Sequence, residues 1–173
     1  MEQDKQAHLH ASDTCRLAVG VFDVAHDLVN AVAELRSGGF TEREICLAGK
    51  RDIVDRLLQG PLEGHASVSP WLTSRRAFRL PSVGIDDGGG PYVATSRAVV
   101  RHLLDQAKAA QVKTVASASF WPDLCRRLAH DMRRDAVVLL VCANDAALQN
   151  RSSRVLLRHA TQSVQTYEFM PRR

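Results

Sequence analysis

The sequence predicts an α+β fold of the ferredoxin-like class, a βαβ-βαβ antiparallel sandwich with strand order 4-1-3-2 and a large helical insert between its two halves. A strand–helix–strand pattern occurs twice, over residues 17–48 and 136–169. The first strand of each unit is apolar at nearly every position, as in a strand covered on both faces. The intervening insert, residues 50–135, contains irregular stretches rich in glycine and proline. We therefore expect one domain over residues 16–173, preceded by a mobile tail at residues 1–15.

The first unit is predicted to contain a strand, a helix and a second strand. Residues 17–22 form the central strand, and residues 45–48 form the second. The helix between them is amphipathic, with Asp23 as its predicted N-cap and Gly38-Gly39 as its terminator, because glycine readily adopts the left-handed conformation that ends a helix. The apolar residues that share one helical face are Leu28, Val29, Val32 and Leu35.

The second unit repeats this arrangement. An apolar strand over residues 136–143 leads into a helix that ends at His159 and is capped by Asn144 or Asp145. The last strand, residues 163–169, mixes polar and apolar residues, which is typical of a strand that meets water. We therefore expect the first strand of each unit to be central and the second strand of each unit to be an edge.

The insert is predicted to contain three helices. The first covers residues 52–59, the second covers residues 96–112, and the third begins near Ser119 with Pro122 in its first turn. A four-stranded sheet with two helices on one side leaves its other face open. Either the insert or a partner subunit must cover that face, and the sequence alone does not choose between them.

The composition is that of a soluble globular protein. The chain has 173 residues, of which 45% are hydrophobic and 24% are charged. No apolar run approaches the roughly 20 residues that a membrane-spanning helix needs. The first residues are polar and contain no apolar signal-peptide core, and the four cysteines form no CxxC pair. We expect a cytoplasmic protein with reduced thiols and no membrane partner.

A glycine-rich segment before the second insert helix is the best local candidate for an anion site. Adjacent glycine amides and a helix N-terminus favour negative charge, and two arginines follow. The segment matches neither common phosphate-loop pattern, so a plain surface loop is the alternative interpretation. Asp86 and Asp87 would repel an anion, or would hold a divalent cation together with Glu63. The predicted anion-site residues are Gly88, Gly89, Gly90, Ser96, Arg97 and Arg101.

Other candidate chemistry is weaker. The spacing of His8, His10 and Cys15 fits no established zinc pattern. Cys125 and His130 are five residues apart on one predicted helix and therefore point to different faces, which disfavours a nucleophile–base pair. We expect no catalytic residue, no metal and no cofactor.

Nucleic-acid binding and catalysis in the insert are two further alternatives. RNA-binding versions of this sandwich display stacking aromatic residues on the two central strands, whereas those strands here offer only Phe22. Nucleic-acid binding is therefore disfavoured. An enzyme with a site in the insert is the least supported interpretation, and its residues would be Arg75, Arg76, Asp86 and His102.

Motifs in both terminal units resemble those of a known family. Residues 18–23 (AVGVFD) lead into a helix that ends with residues 34–40 (ELRSGGF). Residues 136–141 (AVVLLV) precede Asn144-Asp145 and a helix that ends with residues 156–159 (LLRH). In these features the chain resembles the general stress protein 17M-like domain family, the heat-induced stress proteins of bacteria. The resemblance implies a stress-linked cytoplasmic protein without catalytic residues.

These observations predict a non-enzymatic protein that acts through protein association, as a homodimer or with another protein. The pattern of strands and helices is clear, whereas no set of polar residues is predicted to come together at one site. This contrast supports the interpretation. The alternative is a small-ligand sensor that resembles ACT-type regulatory domains. Such a sensor would bind a metabolite or anion where helix and strand ends meet.

Overall fold

A computed structural model of the chain describes six strands and four helices. In chain order they are β1 (Cys15–Phe22), α1 (Ala25–Ser37), β2 (Ile45–Lys50), α2 (Arg51–Gln59), β3 (Phe78–Arg79), β4 (Tyr92–Ala94), α3 (Arg97–Gln111), β5 (Val137–Ala143), α4 (Ala146–His159) and β6 (Ser163–Phe169). The described residues are 15–59, 78–79, 92–111, 126, 129–132 and 135–169. The predicted tail lies outside them, except for Cys15, which begins β1.

All six strands form one antiparallel sheet, in the order β3-β4-β2-β5-β1-β6. The α+β class with an antiparallel sheet is therefore confirmed. The prediction that the second strand of each unit is an edge is confirmed for β6 among the strands that the structure describes, and it is wrong for β2. β4 pairs with β2, and β3 pairs with β4, so two strands from the segment predicted to be a helical insert extend the sheet. Five of the six β2 residues are buried, as expected for a strand with neighbours on both sides.

One face of the sheet packs against α1, α4 and α2. Side chains alternate along a strand, so the odd-numbered residues of β5 and the even-numbered residues of β1 point to this face. Helix α4 crosses β1 and packs against α1. The largest buried side chains that meet here include Phe22, Leu35, Leu47, Leu139 and Leu156.

The other face of the sheet is covered by α3. Val99, Val100 and Leu103 of this helix are buried in a second apolar cluster. Odd-numbered residues of β1 and even-numbered residues of β5 belong to the same cluster. Met132, in a helical segment at residues 129–132, joins the same cluster. Of the two alternatives for the open face, the structure therefore shows the one in which residues of the insert cover the sheet of their own chain.

Local capping rules account for the end of α1 and the start of α4. Asp145 is the N-cap of α4 and its Oδ1 accepts a hydrogen bond of 2.7 Å from Leu148 N, as predicted. After α1 the chain turns at Gly39 with a φ of 92°, a left-handed conformation that suits glycine. The predicted N-cap of α1 is wrong, because Val24 occupies that position and makes no side-chain cap. Asp23 instead interacts with the turn before β6.

Candidate functional site

A pocket lies where β1 ends, α1 begins and β5 begins. It is small, with a cavity volume of about 70 Å³, or about 290 Å³ when the space open to solvent is included. The antiparallel register of β1 and β5 places Phe22 opposite Val137, so the residues that follow one strand and precede the other come together. Helix α2 closes a third side. The lining residues are Phe22, Asp23, Val24, Ala25, Leu28, Ile53, Leu57, Asp135 and Val137.

The floor of the pocket is apolar. Phe22, Leu28 and Val137 are buried in the first core cluster, and Leu57 and Ile53 of α2 pack against the same cluster. Apolar floors of this kind favour the hydrocarbon part of a small molecule, because binding removes both surfaces from water. The floor therefore favours a ligand with an apolar body.

The rim of the pocket carries two carboxylates in different environments. Two hydrogen bonds lower the pKa of the Asp23 carboxyl below its ordinary value. The one with the Thr161 side chain has the larger effect, and the one from the Gln162 amide has the smaller effect. Gln162 Nε2 lies 3.4 Å from Asp23 Oδ2, and the Asp23 backbone N–H donates to Thr161 Oγ1 at 3.0 Å. Asp135 has a φ of 63° and its Oδ1 lies 2.5 Å from Lys50 Nζ.

This arrangement suits binding more than bond making. Among the residues that the structure describes, the lining contains no serine, cysteine, histidine or lysine, and therefore no nucleophile with an adjacent base. The Asp135 charge is balanced by Lys50, whereas the Asp23 carboxylate is held by neutral hydrogen-bond donors and keeps its negative charge at the rim. The pocket therefore favours a small molecule that has an apolar body and a positively charged or hydrogen-bond-donating end.

The predicted anion-site residues are only partly described. Gly88, Gly89 and Gly90 lie outside the described residues. Ser96 is buried, and its Oγ accepts a hydrogen bond of 3.4 Å from Val99 N at the start of α3. Arg97 and Arg101 are exposed one turn apart on the same helix. The Ser96 hydroxyl therefore caps α3, and the anion site stays a prediction.

The other sequence candidates are dispersed. Arg75, Arg76, Asp86, Asp87, Glu63, His8, His10 and Cys125 lie outside the described residues. His102 is half-buried on α3, and His130 is exposed in the helical segment at 129–132. Cys46 and Cys142 are buried in the core, where cysteine behaves as a small hydrophobic residue. In the described part of the chain, no three His, Cys, Asp or Glu side chains are placed to hold a metal ion.

A second polar cluster joins α1 to α4 on the surface. Glu34 of α1 accepts hydrogen bonds from Arg158 Nη1 and, at 2.8 Å, from His159 Nε2. The His159 hydrogen bond, together with the Arg158 hydrogen bond and charge, lowers the pKa of the Glu34 carboxyl. Arg151 Nη1 donates to Gly38 O at 2.8 Å. These contacts join α1 to α4 on the surface.

The pocket could not be located from the sequence, because its two carboxylates are more than 100 residues apart in the chain. The one sequence signal is the placement of Asp23 directly after an apolar strand, and that placement by itself predicts a helix cap. Among the described residues, no helix combines the length and apolarity that crossing a membrane requires. Comparison with protein-family models, with curated proteins and with solved structures found no match to this chain.

Proposed function

We propose that this protein acts through association with other protein chains, principally as a homodimer, and not through catalysis. The β6 edge of the sheet is the observation that carries this proposal. Helices of the same chain cover both faces of the sheet, so association through the sheet must use an edge. β6 is seven residues long and, in the part of the chain that the structure describes, pairs with β1 alone. An edge of this length presents a row of backbone donors and acceptors to another chain.

We further propose a ferredoxin-like framework. The strands of the two terminal units are neighbours in the order β2-β5-β1-β6. If β1, β2, β5 and β6 are numbered 1, 2, 3 and 4, this order is 2-3-1-4. Read from the other edge, it is the ferredoxin-like order 4-1-3-2. The residue pattern of those units supports assignment to the stress protein 17M-like type and to the bacterial cytoplasm. Heat treatment and fractionation of the native cells test this part: unchanged abundance, or recovery with membranes, would contradict it.

Sedimentation velocity on the full chain tests the association proposal. We expect a concentration-dependent shift from monomer to dimer, or a dimer throughout, over the micromolar range. A strict monomer at every concentration would overturn the homodimer. In that case the proposal would reduce to association with a different protein, which cross-linking in native cells would have to detect.

The pocket at the end of β1 supports a second candidate, a small-ligand sensor. It lies where a strand end, a strand start and a helix start meet, which is the place where the sequence predicts a metabolite site. Its apolar floor and the Asp23 carboxylate favour a small amine with an aliphatic or aromatic body. A ligand that binds the folded state alone raises stability by RT ln(1 + [L]/Kd), so binding is detectable as a rise in Tm.

A thermal-shift series separates the two candidates. It compares aliphatic and aromatic amines, amino acids and inorganic phosphate, on the wild type, on Asp23→Asn and on Asp105→Asn, an exposed carboxylate on α3. A rise in Tm with amines that Asp23→Asn removes and Asp105→Asn retains supports the sensor. A rise with phosphate alone supports the anion site predicted near Arg97 and Arg101. No change with any compound leaves association as the function.

A further inference from the structure

β6 is a regular edge strand. It pairs with β1 over seven consecutive residues, from Ser163 opposite Val21 to Phe169 opposite Cys15, without a bulge. Successive peptide groups of a strand point alternately to its two sides, so half of the β6 backbone groups point away from β1. The opposite edge of the sheet is β3, which has only two residues. Of the two edges that the structure describes, β6 is therefore the one long enough to add another strand.

The β6 sequence lacks the features that protect natural edges from pairing. Such edges commonly carry proline, lysine, a bulge or an inward-pointing charge. Residues 163–169 read SVQTYEF, with no proline, glycine or lysine and with Glu168 as the one charge. Arg16, directly opposite on β1, holds that carboxylate in an ion pair of 2.6 Å. Two β6 strands that approach each other therefore experience little charge repulsion.

The side of α4 next to β6 is also uncharged. Gln149, Ser153 and Leu157 are four residues apart and lie in one row along the helix. Gln149 Nε2 donates to Tyr167 O at 3.4 Å, so this row begins over β6. Leu157 is 69% exposed, the highest value among the large hydrophobic residues in the described ranges.

The arginines of α4 that form contacts lie toward α1 instead. Arg151 bonds to the carbonyl of Gly38, and Arg158 bonds to Glu34. These cations are thus held on the side of α4 that packs against α1, opposite the Gln149 row. An exposed leucine in a row of uncharged side chains that begins over an edge strand indicates an interface more than a fully solvated surface, although the exposed Arg154 lies one turn from that leucine.

We propose that β6 pairs antiparallel with β6 of a second copy of this chain, about a two-fold axis at Thr166. The sheet would then run continuously through both copies, and the Gln149–Ser153–Leu157 rows would face each other on one side of it. Such an interface is self-complementary, as a two-fold dimer requires. This inference rests on the proposed function and specifies its surface.

The register about Thr166 gives compatible cross-strand neighbours. Thr166 faces Thr166, Gln165 faces Tyr167 and Val164 faces Glu168, and threonine pairs of this kind are favourable. The two Glu168 side chains are four residues apart along the pair, roughly 14 Å at a rise of about 3.4 Å per residue. That separation exceeds the Debye length of about 8 Å at physiological salt, so their repulsion is screened.

A charge-swap experiment tests this pairing. Thr166→Lys and Thr166→Glu each place two like charges directly opposite one another across the axis, and we expect each to weaken dimerisation at least about tenfold. An equimolar mixture of the two variants places opposite charges there, and we expect it to restore a heterodimer. His130→Lys adds the same charge in an exposed position beyond the other face of the sheet and serves as the matched control. Sedimentation velocity measures the dimer constants, and circular dichroism verifies folding.

The outcomes distinguish this inference from the function on which it rests. A monomeric wild type would overturn the β6 pairing together with homodimerisation, and would leave only association with a different protein. A dimeric wild type whose dimer constant is unchanged in both Thr166 variants would overturn the β6 pairing and leave homodimerisation intact, through another surface. Weakening without rescue in the mixture would overturn the register about Thr166. If the Thr166 variants fail to fold, Leu157→Ser on the exposed face of α4 takes their place, and an unchanged dimer constant there would equally refute the interface.

Discussion

Replacing Leu103 by alanine tests whether α3 covers the second face of the sheet. Leu103 is 3% exposed and belongs to the apolar cluster formed with β1, β2 and β5. The substitution removes three carbon atoms, worth about 0.8 kcal/mol each in transfer free energy, or roughly 2.4 kcal/mol together. The unfilled cavity adds to that value, and buried leucine-to-alanine changes cost about 2–5 kcal/mol. We expect the free energy of unfolding to fall by about 2.5–4 kcal/mol.

Equilibrium urea unfolding, followed by circular dichroism at one fixed protein concentration, measures this change. The fixed concentration matters because dimerisation makes apparent stability depend on protein concentration. Leu156→Ala, at 0% exposure under α4, provides the benchmark for the first face, and Arg101→Ala, exposed on α3, provides the neutral control. We expect Arg101→Ala to stay within about 0.5 kcal/mol of the wild type. A Leu103→Ala protein as stable as Arg101→Ala would refute the placement of α3 on the sheet.

Three further substitutions test local features. Glu34→Gln should lower the free energy of unfolding by less than about 1 kcal/mol near neutral pH, since the ion pair with His159 and Arg158 is partly exposed. Because folding lowers the Glu34 pKa, this contribution is present above the unfolded pKa and disappears as the pH falls below about 4; a difference from wild type that persists in acid would contradict it. Gly39→Ala should cost about 1 kcal/mol in thermal or urea unfolding, because no atom lies within 4 Å of the added carbon and the cost comes from the φ of 92° alone; an unchanged stability would argue against that backbone conformation. Asp145→Ala should cost about 1 kcal/mol through loss of the α4 cap, and Asp145→Asn should recover most of it; equal losses in both variants would point to the charge and not to the hydrogen bond.

The fold class could be predicted because each terminal unit carries local signals that agree. The apolar strand over residues 136–143 is buried at every position of β5, and the stop at Gly39 and the cap at Asp145 occur as predicted. The short strands β3 and β4 escaped prediction because two and three residues are too few to show a period. β4 pairs with β2, which is far from it in the sequence, and β3 pairs with β4. Both short strands therefore depend on β2.

The chain's own residue pattern determined that β1 and β5 are central, where the helices α1 and α4 begin and end within a residue, and that the apolar helix faces between the two units had to be buried. Only the tertiary structure decided that α3 covers the sheet of its own chain, that β2 is internal, and that Asp23 belongs to a pocket rim and not to a helix cap. The physical reason is the distance along the chain over which each kind of interaction acts. Periodicity, capping and glycine conformation act within one or two helical turns. The surroundings of Asp23 depend on Thr161 and Gln162, which only the antiparallel pairing of β1 with β6 brings beside it.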